Sequence, residues 1–196
     1  MSKRLIVLSA PSGAGKTTVA RYLLENFPML NFSVSATTRQ RRPSETDGKD
    51  YYFLNREDFK QRIADDDLIE YEEIFGNYYG TLRSVVKESI TRGEFILFDV
   101  DVKGAVSLRK AFPNDSLLIF VAPPNLSILA QRLRDRHTET DEQIAVRLAR
   151  AEMELAHQHE FDYVLVNSVL DETLQNAADI IARNIAGAGE QQELAL

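Results

Sequence analysis

The stretch Leu5-Ile6-Val7-Leu8-Ser9-Ala10-Pro11-Ser12-Gly13-Ala14-Gly15-Lys16-Thr17-Thr18 decides the fold of this chain. Its first four residues are apolar without alternation, which is typical of a strand buried on both faces. A glycine-containing turn follows and leads directly into a segment, 17–26, with helical spacing of its apolar residues. A strand, a loop that ends in Gly-Lys-Thr and a helix, in this order, predict a phosphate-binding loop.

Each residue type in this loop suits a particular part of phosphate binding. Gly13 and Gly15 allow backbone N–H groups to face an anion, and the helix N-terminus adds positive potential. We expect Lys16 to reach the outer phosphates and Thr17 to ligate Mg²⁺. The strict pattern begins with glycine, so Ala10 is compatible with the loop if its φ angle is negative. The alternative is a turn that only links strand to helix.

Further apolar runs indicate three more buried strands, and amphipathic segments separate or follow them. The runs are 95–98, 117–121 and 163–166, and the helical segments are 102–111, 126–136, 141–158 and 171–185. Strands that alternate with helices predict an α/β fold with a parallel sheet. Right-handed crossovers would make it a doubly wound sheet with helices on both faces.

Two stretches interrupt this alternation and predict additions to a single domain, 1–186. Residues 32–92 combine polar loops, tyrosines and short alternating pieces, so we expect an inserted small mixed or antiparallel lobe, about 35–92. Residues 132–147 carry four arginines around a polar tract, so we expect a helical lid, about 126–158. The core then comprises about 1–34, 93–125 and 159–186, and 187–196 should form a flexible tail.

Composition excludes several classes of protein. The 196 residues are 44% hydrophobic with a formal net charge of −7, which argues against intrinsic disorder and against binding a nucleic acid polymer. There is no cysteine, so disulfides, thiolate zinc sites and cysteine nucleophiles are excluded. No apolar run approaches the roughly 18 residues of a membrane span, so we expect a cytoplasmic protein without membrane contact. Whether it is a monomer or a homo-oligomer stays open.

Two further features point to phosphate chemistry. Asp99 ends an apolar run, where a carboxylate that holds Mg²⁺ through water is expected, while Asp101 two residues later could instead cap the next helix. Arg39, Arg41 and Arg42 cluster in an otherwise acidic chain. Because guanidinium groups bind phosphate bidentately, the cluster favours a second, phosphate-bearing substrate, and a solvated charge run is the alternative.

An ordered series of motifs resembles guanylate kinase over about residues 5–185. The series is Phe32-Ser33-Val34-Ser35-Ala36-Thr37-Thr38-Arg39, Arg42-Pro43, Glu45, Gly48-Lys49-Asp50-Tyr51, Glu70, Gly76-Asn77-Tyr78-Tyr79-Gly80 and Asp99-Val100-Asp101. This resemblance implies an ATP:GMP phosphotransferase that supplies and recycles guanine nucleotides, with ATP and Mg²⁺ as cofactors. It implies no nucleic acid partner and no membrane.

The resemblance also implies residue roles. The GMP phosphate would be held by Arg39, Arg42, Tyr51 and Tyr79, and guanine would be read by Ser35, Glu70 and Thr81. Glu45, Gly80, Asp99 and Asp101 complete the expected GMP site. These guanine contacts suit the base, because guanine N1–H and N2–H₂ are donors for a carboxylate whereas O6 accepts from a hydroxyl. Tyr52 and Tyr78 are expected to pack as structural strand residues.

On the ATP side, the resemblance implies contacts from residues 10–18 and two distant residues. The full set is Ala10, Pro11, Ser12, Gly13, Ala14, Gly15, Lys16, Thr17, Thr18, Arg132 and Asn167, where Asn167 would touch adenine or else cap a helix. Lid residues Arg136 and Arg147 would stabilise the transferring phosphoryl group together with Lys16, Arg39 and Arg42. Arg134 and Arg150 are expected to be solvated.

Two alternatives to this function remain. A guanylate-kinase-like interaction module would keep the fold and bind a protein, although the intact Gly15-Lys16-Thr17 argues against it. A related kinase could use the same loop on another phosphorylated small molecule, which the pairing of Glu70 with Ser35 disfavours.

Overall fold

A computed structural model describes residues 2–74, 76–135 and 140–185 of the chain. Its strands are β1 (Leu5–Ser9), β2 (Leu30–Phe32), β3 (Ala36–Thr37), β4 (Tyr52–Phe53), β5 (Leu68–Ile74), β6 (Asn77–Leu82), β7 (Phe95–Asp99), β8 (Ser116–Ala122) and β9 (Tyr163–Val166). Its α-helices are α1 (Lys16–Asn26), α2 (Arg56–Ala64), α3 (Arg83–Thr91), α4 (Val102–Ala111), α5 (Leu126–Arg134), α6 (Asp141–Ala156) and α7 (Leu170–Ile185). The predicted tail, 187–196, lies outside the described residues.

The centre of the molecule is a five-stranded parallel sheet in the order β2-β7-β1-β8-β9. Every residue of β1 and β8 is buried, which explains their unbroken apolar sequences. Helices α1 and α7 cover one face, and α3 and α4 cover the other. The predicted α/β fold with a parallel sheet and helices on both faces is therefore confirmed.

A second sheet, in the order β4-β3-β6-β5, lies within residues 36–82. It is mixed, because β3 pairs with β4 in parallel and with β6 antiparallel. Helix α2 packs on it through Phe59, which is fully buried and stacks on Tyr78 with ring centroids 5.3 Å apart. Tyr52 and Tyr78 both pack against this cluster, as expected of structural tyrosines.

The sequence pattern did not predict helices α2 and α3. Helix α2 buries only Phe59, so it has almost no amphipathic signal. Its start depends on the Asn55 side chain, which accepts a hydrogen bond from the Asp58 backbone N–H at 2.7 Å. The division of the chain into core, lobe and lid stays a prediction, although the second sheet, α2 and α3 fall inside the segment assigned to the lobe.

Helices α5 and α6 pack on each other through an apolar cluster that includes Leu129, Leu133 and Ile144. Helix α6 begins at a capping box, in which the Thr140 hydroxyl accepts from the Gln143 N–H at 3.3 Å and the Gln143 side chain accepts from the Thr140 N–H at 2.9 Å. The capping box therefore defines where α6, the helix that carries Arg147 and Arg150, begins. In the described part of the chain, no helix is long and apolar enough to cross a membrane.

Candidate active site

The glycine-containing loop joins β1 to α1 at the carboxyl edge of the parallel sheet. Gly13 and Gly15 have φ angles of 93° and 105°, which glycine adopts without strain. Among the described non-glycine residues, only Asp66 has a positive φ, so Ala10 meets the condition for replacing the first glycine. At Gly13, an added Cβ would lie 3.0 Å from a Leu133 methyl carbon, so the glycine allows α5 to approach the loop.

A cleft of about 630 Å³ opens above this loop. The loop and the start of α1 form one wall, and α6 forms the opposite wall. Lys16 and Asp99 form an ion pair inside the cleft, and Lys16 Nζ also donates to the Val100 carbonyl at 3.0 Å. Thr17 is exposed to the same space, so a hydroxyl, a carboxylate and an ammonium group converge next to the loop.

Helix α6 contributes Val146, Arg147, Arg150 and Glu154 to the cleft. The Arg147 Nη1 atom donates to the Ser12 hydroxyl at 2.5 Å, so this arginine already contacts the phosphate loop. Arg150 pairs with Glu154 at 2.9 Å and lies 3.5 Å from the Asp101 carboxylate. Two cations of α6 therefore face the loop side of the cleft.

The arginine cluster of residues 39–42 contains one tightly held side chain. Arg39 forms a bidentate pair with Glu45, at 2.7 and 3.1 Å, and the Glu45 carboxylate also accepts from the Arg42 N–H at 2.8 Å. The hydrogen bond from Arg39 is the main cause that lowers the pKa of Glu45, and the Arg42 N–H adds to it. The Arg39 guanidinium also lies 5.3 Å from the ring centroid of Tyr51.

Tyr51 in turn meets Tyr79, with ring centroids 6.1 Å apart in an edge-on arrangement. The structure thus brings Arg39, Tyr51 and Tyr79 together, whereas Tyr52 and Tyr78 pack into the apolar cluster of the second sheet. Arg42 is exposed beside them. Alternate tyrosines therefore face the arginine and the core, as the two-residue period of a strand requires.

A carboxylate pair lies where β5 meets the start of α4. Thr81 is buried, and its hydroxyl donates to the Glu70 carboxylate at 2.6 Å. Burial raises the pKa of Glu70 above its ordinary value, and the negative charge of Asp101 raises it further, while the Thr81 hydrogen bond lowers it. Asp101 itself caps α4, accepting from the Gly104 N–H at 2.8 Å. Asp101 also lines the cleft, so it connects this corner with the phosphate loop.

A family model for guanylate kinase matches residues 2–184. The chain belongs to the guanylate kinase family. The guanylate kinase of Chlorobaculum tepidum is 51% identical over 179 residues, which are 91% of this chain and 92% of that protein. That of Salinibacter ruber is 49% identical over 174 residues, or 88% and 92%. A crystal structure of guanylate kinase from Anaplasma phagocytophilum has a TM-score of 0.68 at 33% identity, covering 94% of this chain and 87% of that one.

These matches confirm the family, the fold class and the enzyme class that the motifs predicted. Guanylate kinase relatives cover almost the whole chain, so the resemblance does not depend on the phosphate loop alone. The roles of individual residues stay predictions.

Several residues assigned to a guanylate kinase site lie in positions that the sequence pattern did not indicate. Asn167 is buried, and its side-chain amide donates to the Ala14 carbonyl at 2.8 Å; because α7 begins at Leu170, three residues later, Asn167 is not at the N-cap position. Arg132 donates to the Asn167 carbonyl at 2.8 Å and is absent from the residues that line the cleft. Gly80 is buried in β6, where an added Cβ would lie 2.6 Å from the Glu70 carbonyl oxygen, so strand approach explains this glycine.

Ser35 is half-buried, and its carbonyl accepts from the Tyr52 N–H at 2.9 Å. Arg136, expected in the lid, lies outside the described residues. Among the described residues, no group of three or more histidine, aspartate or glutamate side chains is arranged to hold a metal ion.

Sequence reasoning missed the orientation of Arg150 and Glu154. Arg150 is exposed, as expected of a solvated residue, but it faces the cleft rather than the outer surface. Arg147, Arg150 and Glu154 are spaced by three and four residues, which places them on one face of a helix. This spacing was visible in the sequence, and it would have indicated that all three share a face once Arg147 was assigned to the lid.

Proposed function

We propose that this chain transfers the γ-phosphoryl group of MgATP to GMP, which yields ADP and GDP. One observation carries the base assignment: the Glu70 carboxylate accepts from Thr81 and is within electrostatic reach of Asp101, which lines the cleft above the phosphate loop. A partly buried carboxylate at this point suits the N1–H and N2–H₂ donors of guanine. Adenine would present an acceptor at N1 and leave the carboxylate unpaired. We place the activity in the cytoplasm, where both nucleotides are held.

ATP would bind with its phosphates on the loop of residues 10–18. The two left-handed glycines and the start of α1 favour an anion there. Lys16 pairs with Asp99 in the structure, and the outer phosphates would draw its ammonium group away from that carboxylate. Thr17 and Asp99 suit Mg²⁺, which binds through few protein oxygens together with phosphate oxygens and water. Magnesium would screen the charge on the phosphates.

GMP would place its phosphate at Arg39, Arg42, Tyr51 and Tyr79. Glu45 has a different role in this proposal, because a carboxylate repels phosphate. Its two hydrogen bonds to Arg39 instead hold the guanidinium group in one orientation against the Tyr51 ring. Ser35 and Thr81 would supply hydroxyl groups near the guanine.

Phosphoryl transfer in this site requires alignment and charge neutralisation rather than a general base. An oxygen of the GMP phosphate is already anionic, so it can attack the γ-phosphorus directly while the bond to the β–γ bridging oxygen breaks and its electrons remain on ADP. Lys16 and Arg147, which belong to opposite walls of the cleft, would stabilise the equatorial oxygens of the transferring phosphoryl group. Arg136 belongs to the same proposal from the resemblance alone.

The deciding experiment measures ADP release from ATP and Mg²⁺ with GMP, AMP, CMP or UMP as the acceptor, and with no acceptor. GMP-dependent release, with product GDP, is the expected result. Equal release without an acceptor would replace the proposal with a plain nucleoside triphosphatase. ATP binding without release under any condition would instead favour an interaction module or another phosphorylated acceptor.

A further inference from the structure

Asn167 lies directly after β9, at the carboxyl edge of the sheet, and both its backbone N–H and its side chain are hydrogen-bonded. Its backbone N–H donates to the Ala122 carbonyl at 2.8 Å, which continues the pairing of β9 with β8. Its side-chain Nδ2 donates to the Ala14 carbonyl at 2.8 Å inside the phosphate loop. The residue is only 5% exposed, so the amide is enclosed by protein rather than presented to a ligand.

The orientation of this amide follows from chemistry. A carbonyl oxygen can only accept, so the side-chain atom that faces Ala14 must be the NH₂ group. The fit is also tight, because a Cβ added to Gly15 would lie 2.4 Å from Asn167 Nδ2. The amide therefore occupies the space beside Gly15 that any larger residue would need.

Holding the Ala14 carbonyl has a consequence for the next N–H group. In a planar trans peptide, the carbonyl of one residue and the N–H of the following residue point in opposite directions. Because Asn167 holds the Ala14 oxygen on the protein side, the Gly15 N–H is turned away from Asn167. Gly15 lines the cleft, so this orientation of the peptide favours an N–H that faces the place where the phosphates would lie.

Arg132 links this arrangement to α5. Its Nη2 atom donates to the Asn167 carbonyl at 2.8 Å, and Arg132 is half-buried. Helix α5 also approaches Gly13 through Leu129 and Leu133. The loop is thus contacted from one side by Asn167 and from another by α5, the first helix of the predicted lid segment.

We infer that Asn167 is a positioning residue for the phosphate loop, which sets the Ala14–Gly15 peptide for triphosphate binding, and that it does not read the adenine base. The inference rests on the proposed use of this loop for ATP. It requires the same loss of affinity for every triphosphate, whatever base is attached, when the side-chain donor is removed.

The test compares wild type with Asn167→Asp and Asn167→Ala by calorimetric titration with ATP, UTP and inorganic tripolyphosphate, each with Mg²⁺. Both variants should bind all three probes about tenfold more weakly, since each loses one buried hydrogen bond. GMP affinity should be unchanged. Thr173→Val is the matched control, because the Thr173 hydroxyl is buried in the same segment but donates at 2.9 Å to Val169 of its own turn.

Three results would overturn the inference: a loss confined to ATP, which would indicate an adenine contact; a loss confined to Asn167→Asp, which would indicate charge repulsion; or no loss in either variant. If neither variant folds, NMR of the wild type tests the inference, through the hydrogen exchange of the Asn167 side-chain NH₂ group. The same protection from hydrogen exchange with ATP and with tripolyphosphate supports positioning, and a change seen only with ATP contradicts it.

The binding measurements on the Asn167 variants do not depend on whether the protein catalyses the proposed reaction. Absence of GMP-dependent ADP release in the wild type would refute the phosphotransfer, whereas the binding comparison among the Asn167 variants would still stand or fail by itself.

Discussion

The phosphate loop and the proposed GMP phosphate site are built in different ways. The phosphate loop is held by backbone geometry and by buried partners, as the left-handed Gly15 and the Asn167–Ala14 hydrogen bond show. The proposed GMP phosphate site is held chiefly by side chains, above all the Arg39–Glu45 pair, with Arg42 exposed beside it. The loop therefore depends on backbone conformation, whereas the other site depends on long side chains, whose orientations change more easily than a backbone conformation.

This difference indicates how the two substrates should respond to substitution. Changes in the phosphate loop disturb a backbone conformation, so their effects should be large and should extend to every triphosphate. Changes on the GMP side remove single polar contacts, which are partly replaceable by water, so their effects should be smaller and specific to the acceptor.

The largest expected effect is that of Lys16→Met, which should lower kcat by about 10³-fold, because no other group in the loop supplies a positive charge to the outer phosphates. Thermal unfolding should change little, since Lys16 lies in the cleft and contributes nothing to the apolar core. Single-turnover kinetics measure the effect. Lys103→Met, on the exposed side of α4, should retain full activity, and an equally active Lys16→Met would remove Lys16 from the mechanism.

Gly15→Ala should follow, with a loss of about hundredfold in kcat/KM for ATP, because it combines backbone strain of about 1–3 kcal/mol with overlap against Asn167. Its φ of 105° and the 2.4 Å approach to Asn167 Nδ2 are separate causes. Gly93→Ala is the matched control, since Gly93 also has a positive φ, 77°, but its nearest neighbour would be a flexible Arg4 atom at 3.4 Å. If Gly93→Ala lost as much kcat/KM for ATP as Gly15→Ala, the loss would come from backbone strain in general and not from the place of Gly15 in the phosphate loop.

Glu70→Gln should reduce the preference for GMP over AMP by about tenfold to a hundredfold, because a carboxylate accepts two guanine donors and an amide cannot. The preference is measured as a ratio of kcat/KM values. Glu72→Gln removes the same charge two residues along β5 and should leave the ratio unchanged. An unaltered ratio in Glu70→Gln would refute the guanine assignment.

The same residue predicts a pH dependence. Burial raises the folded-state pKa of Glu70, so the acid form is favoured in the folded protein; stability therefore falls as the pH rises from the ordinary glutamate pKa through the raised pKa, and stays lower above it. Glu70→Gln should therefore unfold at the same or a higher Tm than the wild type at pH 7. GMP affinity in the wild type should fall with decreasing pH as Glu70 becomes protonated, beginning above the usual glutamate range, and this dependence should be weaker in the variant.

The smallest effect is expected for Glu45→Gln, a rise of several-fold in the KM for GMP with kcat nearly unchanged, because Arg39 keeps its charge but loses one orienting partner. Asp50 lies in the same loop and accepts from the Thr46 N–H at 2.7 Å without contacting Arg39. Asp50→Asn therefore controls for changes in loop geometry. A KM unchanged in Glu45→Gln would argue that the other contacts of Arg39, with the Gln40 carbonyl and the Tyr51 ring, are enough to orient it.

Sequence patterns were most informative where structure is local. The apolar runs predicted four strands of the parallel sheet, since a strand buried on both faces shows no alternation. They missed α2, whose single buried residue, Phe59, leaves no helical period to detect. They predicted that Arg150 is solvated but not that it faces the cleft, because the direction in which a helix face points depends on how α6 packs against α5.

The sequence by itself determined the phosphate loop, because strand, turn and helix are contiguous and the left-handed conformations at Gly13 and Gly15 depend on residue type. The ordered motifs also determined the family. Only the tertiary structure decided what holds the loop in place. Asn167 is 153 residues away from Ala14, and they meet because β9 pairs with β8, which pairs with β1. Such a contact follows from the strand order of the sheet, which no local pattern of residues contains.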